Sequence, residues 1–296
     1  MNNIVKNQHI IPRVHLKKFC DTNGKLKTLN ADSLSLEKDQ SPTQVCKGFF
    51  HYALNEGIED EYSQIIEKNF GSLEDWYGKN IPRIEENIIV NKELSEEDKF
   101  GLSWIVVNFY FRGYSFRKET TKSIRKINEW VEPSLTNMFN KKHNDLNEND
   151  VRGVVNDQLK QYEKNTSYST ARSFDVGFVN TLTHKKWNIL INNSKTPFIT
   201  GDEAVLNVFD DNIKKNQLSG SFLLMKQIIN LSPKVSIVIS FYMDDEEHGK
   251  IYFTDITDNI KKVYEQNLLY INYTHKYCYS SDNMFFENII KFEKNK

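Results

Sequence analysis

The sequence predicts an α+β protein with a small N-terminal β-unit, a central helical bundle and a C-terminal, mainly antiparallel β-region. Two changes of pattern predict it. Between Tyr62 and Tyr77 apolar residues recur at three and four, the helical period, and Phe100 through Phe116 is apolar on nearly every face. After Trp187 the apolar residues gather instead in short runs rich in Ile and Val, as strands do. Composition agrees with a folded chain. Of 296 residues, 39% are hydrophobic and 27% charged, so there is enough apolar surface to bury. We read one domain, 1–296, with sub-regions 1–55, 56–185 and 186–296.

In order along the chain, Ile11, Val14, Leu16 and Phe19 fit no single strand period. Part of Arg13–Phe19 is therefore expected as a helical turn started by Pro12. Asn23-Gly24 is a hairpin-turn signal, because both residues tolerate positive φ, and Lys25–Leu29 follows as a strand. Glu59, Asp60 and Glu61 put acid in the first turn of a helix beginning at Ile58, where the macrodipole favours it. Gly71-Ser72 is expected to break that helix in two. Ser95 caps the next helix, with Asp98 three residues on, as in a capping box. Helices over Thr120–Lys141 (bent at Pro133), Glu148–Glu163 and Thr170–Lys185 complete the middle. Strands are expected at Trp187–Ile191, Phe198–Thr200, Val235–Tyr242, Lys250–Phe253 and Leu268–Tyr273. The acidic run Asp244–Glu247 reads as an exposed hairpin loop, since calcium needs further oxygen ligands at fixed spacing.

Lys+Arg 39 against Asp+Glu 40 leaves a net charge of -1, which excludes a uniformly basic or acidic protein. The positive charge is nonetheless concentrated. Residues 1–30 and 112–126 each hold six Lys/Arg and one acid, which suits an anionic partner such as nucleic acid or a nucleotide. Solvated faces balanced by acids elsewhere are the alternative. Cys20, Cys46 and Cys278 form no CxxC pair, so buried reduced thiols and a cytoplasmic location are expected. No apolar run approaches the roughly 20 residues that span a bilayer, so no membrane association is expected.

Four stretches resemble one bacterial family, catalogued as domain of unknown function 4238. His9-Ile10-Ile11-Pro12 with Leu16 and Phe19 resembles its His-aromatic-aliphatic-Pro opening. Glu61–Glu67 falls where the family has an acidic helix. Leu94–Asp98, with Arg112 and Arg117 beyond, resembles its leucine-serine-acid helix start and the paired arginines that end that helix. Trp187 with Phe198–Asp202, and Leu231-Ser232-Pro233-Lys234, resemble its tryptophan strand, its Ser-Asp-x-Pro turn and its Pro-Leu-Ser-Pro element. Ile10, Gly201, Ala204 and Asn230 depart from the pattern. The resemblance implies relatedness and no established activity. A defence or mobile-element setting fits it.

The residues leave the chemistry open between three readings. No nucleophile elbow, P-loop, Rossmann fingerprint or HExxH is present. The leading reading is a metal-dependent phosphodiester hydrolase, nuclease-like. There His9 is general base or phosphate ligand, and Asp202 is catalytic and, with Glu61, a ligand of a divalent metal such as magnesium. Arg13, Arg112 and Arg117 bind the phosphates. The second is a non-catalytic module that holds nucleic acid or a partner protein. The third is a scaffold, in which an Arg112–Glu61 bridge satisfies a charge emerging from the core, Asp202 builds a turn through backbone N–H groups and His9 is structural.

Overall fold

The computed structural model describes residues 7–49, 65–142, 147–168, 175–209, 225–240 and 247–294. It is a mixed α+β fold of the predicted kind, with small sheets first, helices in the middle and a mostly antiparallel sheet after them.

The N-terminal unit runs β1 (Asn7–His9), α1 (Arg13–Leu16), a 3-10 turn (Lys17–Phe19), β2 (Leu26–Asn30), β3 (Ser35–Gln40) and β4 (Lys47–Phe49). The helical turn begins directly after Pro12, whose ring fixes an extended-to-helical entry. Gly24 has φ 70, the left-handed conformation expected of the Asn-Gly turn. That turn does not make a hairpin with the segment before it, because residues 13–19 are helical; β2 pairs with β3 instead.

The middle contains α2 (Ile65–Asn91), α3 (Glu96–Arg112), α4 (Tyr114–Lys142), α5 (Glu148–Tyr168) and α6 (Val176–His184). Gly71-Ser72 does not break α2. Its buried face, Phe70, Tyr77, Ile81, Ile84 and Ile88, keeps helical spacing throughout. Continuous burial outweighs the roughly 1 kcal/mol that a helical glycine costs. Ser95 Oγ accepts from Asp98 N at 3.1 Å, the expected cap. The Asp98 carboxylate does not complete a capping box; both its oxygens go to Arg83, at 2.6 and 3.0 Å. In α3, Ile105, Val106, Val107 and Phe109 are buried, so this helix lies in the core as expected.

The last third holds β5 (Lys186–Ile191), β6 (Thr200–Gly201), β7 (Val205–Val208), β8 (Lys226–Asn230), β9 (Val235–Ser240), β10 (Ile251–Asp255), α7 (Ile260–Tyr273), β11 (Tyr277–Ser280) and α8 (Met284–Lys294). Leu268–Tyr273 is the C-terminal part of a helix and not a strand. Val263, Gln266, Asn267 and Tyr270 are its buried residues, spaced three, four and seven, and a short apolar run read alone hides that period. The link from β9 to β10 is no hairpin, because β5 lies between them: the five-stranded order is β10-β5-β9-β8-β7, with β10 parallel to β5. Asp244–Glu246 lie outside the described residues; Glu247 pairs with Lys186 at 2.9 Å.

A second sheet has the order β3-β2-β11-β6. Thus β6 belongs to one sheet and β7 to the other. The three residues between them, Asp202, Glu203 and Ala204, cross from sheet to sheet and are all buried. No described helix is long and apolar enough to cross a membrane.

Candidate functional site

The sheet-to-sheet crossing holds Asp202, one of the residues that the sequence singles out. Asp202 follows β6 and faces the turn that precedes β11. Its carboxylate accepts the Thr274 hydroxyl at 2.5 Å and the backbone N–H groups of His275, Lys276 and Tyr277 at 2.8 to 3.1 Å. Asp202 N in turn donates to Tyr277 O at 2.9 Å. A charged acceptor shared by several N–H donors is a strong, rigid connection. Gly201 permits it: a Cβ there would collide with the Thr274 side chain that reaches Asp202.

Glu203 points the other way, to the start of α4. Its Oε1 accepts Ser115 N at 2.5 Å, and a Cβ at Gly113 would overlap its other oxygen. The first N–H groups of a helix have no partner within it, and a carboxylate there meets the positive end of the dipole. Burial nevertheless pushes the Glu203 carboxyl up to about 7, and the neighbouring Asp202 charge adds to the rise.

His9 and Arg112 are joined, but not through their side chains. Arg112 is almost wholly buried at the end of α3. It donates to Glu74 Oε1 at 2.8 Å and to the backbone carbonyl of His9, and its guanidinium stacks on Phe70 at 4.2 Å. The anticipated ion pair of a core arginine exists, with Glu74 of α2 as the partner; Glu61 lies outside the described residues. The His9 ring is half-buried and sits beside Val45, whose backbone it bonds, while Nδ1 is buried without a hydrogen-bond partner. Burial, then the charges of Arg13, Lys47 and Arg112, hold its pKa down at about 4, so the ring is neutral at pH 7. Arg13 is exposed one turn along.

His15 is the more deeply placed histidine. It bonds Tyr77 Oη at 2.8 Å and Thr200 Oγ1 at 3.1 Å and touches the rings of Phe19 and Phe109. Burial lowers its pKa to about 3. Tyr270 and Asn267 of α7 complete this buried layer. Tyr270 Oη bridges Ala204 O and Asn230 N, and the Asn267 amide spans Ile199 N and Pro197 O.

One open volume adjoins Asp202, and another lies along the helices. The first, about 410 Å³, is a cleft with Cys46, Asp202 and Tyr279 in its floor and Gln40, Lys47, Tyr114, His275 and Lys276 around it. Tyr114 and His275 stack at 4.7 Å. His9 is not part of its lining. The second, about 1020 Å³, is a groove between α4 and α5. Arg117, Thr121 and Arg125 face it from α4; Arg152, Asn156 and Lys160 face it from α5; Glu129 and Glu132 lie toward one end, where Glu132 pairs with Arg152 at 3.2 Å. Arg117 is therefore far in character from Arg112, though only five residues away. The basic residues of α5 were not expected from the sequence, because they are scattered among acids there.

A family model described as "Protein of unknown function (DUF4238)" matches residues 7–284. The chain belongs to the DUF4238 family. The resemblance read from the sequence is thereby borne out, while the family carries no activity with it. No curated protein and no solved structure matches the chain. In this DUF4238 chain some of the motif-bearing segments come together in space. His9 pairs across β1 and β4 with Lys47, Ile10 N bonds Cys46 O, and Cys46 contacts Tyr279 beside Asp202. The Leu231-Ser232-Pro233 element meets the same layer, since Tyr77 Oη donates to Leu231 O and Ser232 Oγ accepts from Lys234 and Val235 N.

A divalent metal does not fit the described residues. Asp202 has its oxygens committed to four donors, Glu203 caps a helix, and no group of three His, Cys, Asp or Glu among the described residues is placed to hold an ion. The three free cysteines are consistent with reduced thiols: Cys46 and Cys278 are buried, and burial pushes both thiols up.

Proposed function

We propose that this DUF4238 chain is a non-catalytic nucleic-acid-binding module that uses the α4–α5 groove. One observation carries the reading: basic side chains from two packed helices line one groove, Arg117 and Arg125 from α4 and Lys160 from α5, with Arg152 paired to Glu132 at its acidic end. Helical geometry spaces Arg117 and Arg125 about 12 Å apart along one face. Four basic against two acidic residues line the groove among the described residues, and Lys118, Lys122 and Lys126 add exposed positive charge to the same helix. A phosphate backbone takes its affinity from such an array by releasing counterions.

The other basic cluster supports the choice of α4. Lys18 bonds Glu85 at 2.6 Å and Lys27 bonds Asp39 at 2.5 Å, so two of its charges hold the fold together. The reading is tested by fluorescence anisotropy with a labelled single-stranded 20-mer, as DNA and as RNA, over a salt series. Binding that falls steeply with salt, and is lost in the triple variant Arg117→Ala, Arg125→Ala, Lys160→Ala, supports it. No binding at low salt rejects it. The same samples with magnesium address the hydrolase reading: metal-dependent cleavage that disappears in a folded His9→Ala or Asp202→Asn variant would replace the binding module by a phosphodiester hydrolase.

A further inference from the structure

The α4–α5 groove leaves the cleft above Asp202 without a role, yet that cleft is the better-built of the two. Its walls come from three separate segments: Lys47 from β4, Tyr114 from the first residue of α4, and His275 and Lys276 from the turn before β11. The turn is held with unusual completeness. One buried carboxylate, Asp202, binds three successive backbone N–H groups, those of His275, Lys276 and Tyr277. The two side chains at the tip of that turn, His275 and Lys276, are exposed. A rigid backbone under exposed aromatic and cationic side chains lowers the ordering cost of binding.

The chemistry of the walls is mixed in an informative way. His275 and Tyr114 make an aromatic stack, with an interplanar angle of 23°. Lys47 and Lys276 bring two positive charges to the same 410 Å³, and Gln40 brings an amide with both a donor and an acceptor. A volume of this size lies within the range of small-molecule sites. An inorganic anion uses the lysines and wastes the rings; an uncharged aromatic does the reverse.

We propose that this cleft binds a mononucleotide unit, its base against the His275–Tyr114 stack and its phosphate between Lys47 and Lys276. The unit is either a free nucleotide or the phosphorylated end of a strand, the recognising chemistry being the same. Asp202 is a positioning residue in this site: it fixes the turn and has no free lone pair to offer the ligand. The site stands apart from the groove and does not need it.

The test is an amide NMR titration of the full chain with UMP, AMP, uridine, inorganic phosphate and a 5′-phosphorylated tetranucleotide. UMP or AMP is expected to shift the amides of residues 275–277 and to bind at least about tenfold more tightly than uridine or phosphate, a difference of about 1.4 kcal/mol. Lys276→Ala and Lys47→Ala are each expected to weaken it about tenfold, and Lys276→Arg to retain most of it. Both positions are exposed, and unchanged thermal melts exclude a folding defect. Tighter binding of the tetranucleotide assigns the cleft to strand ends; equal or tighter binding of the mononucleotide assigns it to free nucleotides. Nucleotides no tighter than phosphate, no shift at 275–277, or lysine variants that bind as the parent does would each overturn the proposal.

Discussion

Arg112 and Arg117 stand five residues apart in different surroundings: one buried at the end of α3, the other on the wall of the α4–α5 groove. The interior holds charged and polar groups that are almost all consumed. Arg112 is locked to Glu74 and the His9 carbonyl, Asp202 to the turn at 275–277, His15 to Tyr77 and Thr200. The groove's charges line an open volume, and one of them, Arg152, pairs with Glu132 there. A buried polar group must be satisfied within the protein, because water cannot reach it, whereas an exposed one can exchange water for a ligand. A charged residue in a motif is thus as readily part of the frame as of the site.

The largest way to break this contrast is at Arg112. Arg112→Ala leaves the His9 carbonyl and Glu74 without their partner and empties the space over Phe70. It should cost about 3–5 kcal/mol in urea melts, and a loss under about 1 kcal/mol would put Arg112 among the site residues instead. Next is Asp202→Ala, which strands three backbone N–H groups. A loss of about 2–3 kcal/mol is expected, with the amides of 275–277 losing protection in hydrogen exchange. Unchanged exchange there would show that the turn holds itself.

The pH dependence sharpens the comparison within the interior. The folded pKa of Glu203, about 7, lies above its ordinary value of 4.5, so the folded protein keeps a proton that the unfolded chain releases, and stability from this group falls as pH rises from 4.5 through about 7, then levels off. His9 and His15 act in the opposite sense. Their folded values, about 4 and about 3, lie below 6.5, so their contribution is complete above pH 6.5 and is lost as pH falls. The Glu203 part is isolated by Glu203→Gln: relative to the parent, the variant should gain about 2 kcal/mol on going from pH 5 to pH 8. A constant difference between the two proteins across that range would mean that Glu203 is ionised throughout. The smallest effect on stability belongs to the groove. Arg125→Ala should change it by less than about 0.5 kcal/mol while lowering the salt slope of nucleic-acid binding by about one charge.

Much of the architecture was legible along the chain. The helical periods of α2 and α3, the cap at Ser95 and the strand Trp187–Ile191 depend on local spacing and one buried face, which a sequence displays directly. The errors came where local pattern is ambiguous. Leu268–Tyr273 reads as a strand because its helical partners Val263 and Gln266 lie upstream and one of the buried positions is a polar glutamine. The candidate site was legible in part. Arg112 meets the backbone carbonyl of His9, but what each side chain bonds could not be read: Glu74 is a partner of Arg112, and the partners of Asp202 are the Thr274 hydroxyl and backbone groups some seventy residues away.

By itself, then, the sequence determined the class of fold and the family, since both rest on periodicity and on motifs written contiguously. Only the tertiary structure decided which charges are framework and which face open space. Hydrogen-bond partners such as Asp202 with Lys276, or His15 with Thr200, are distant in sequence, and any backbone N–H can serve as donor whatever its side chain. The residue type therefore carries no record of the pairing. The same holds for α5: Lys160 comes to line one groove with Arg117 and Arg125 only because two helices pack together, which no local spacing encodes.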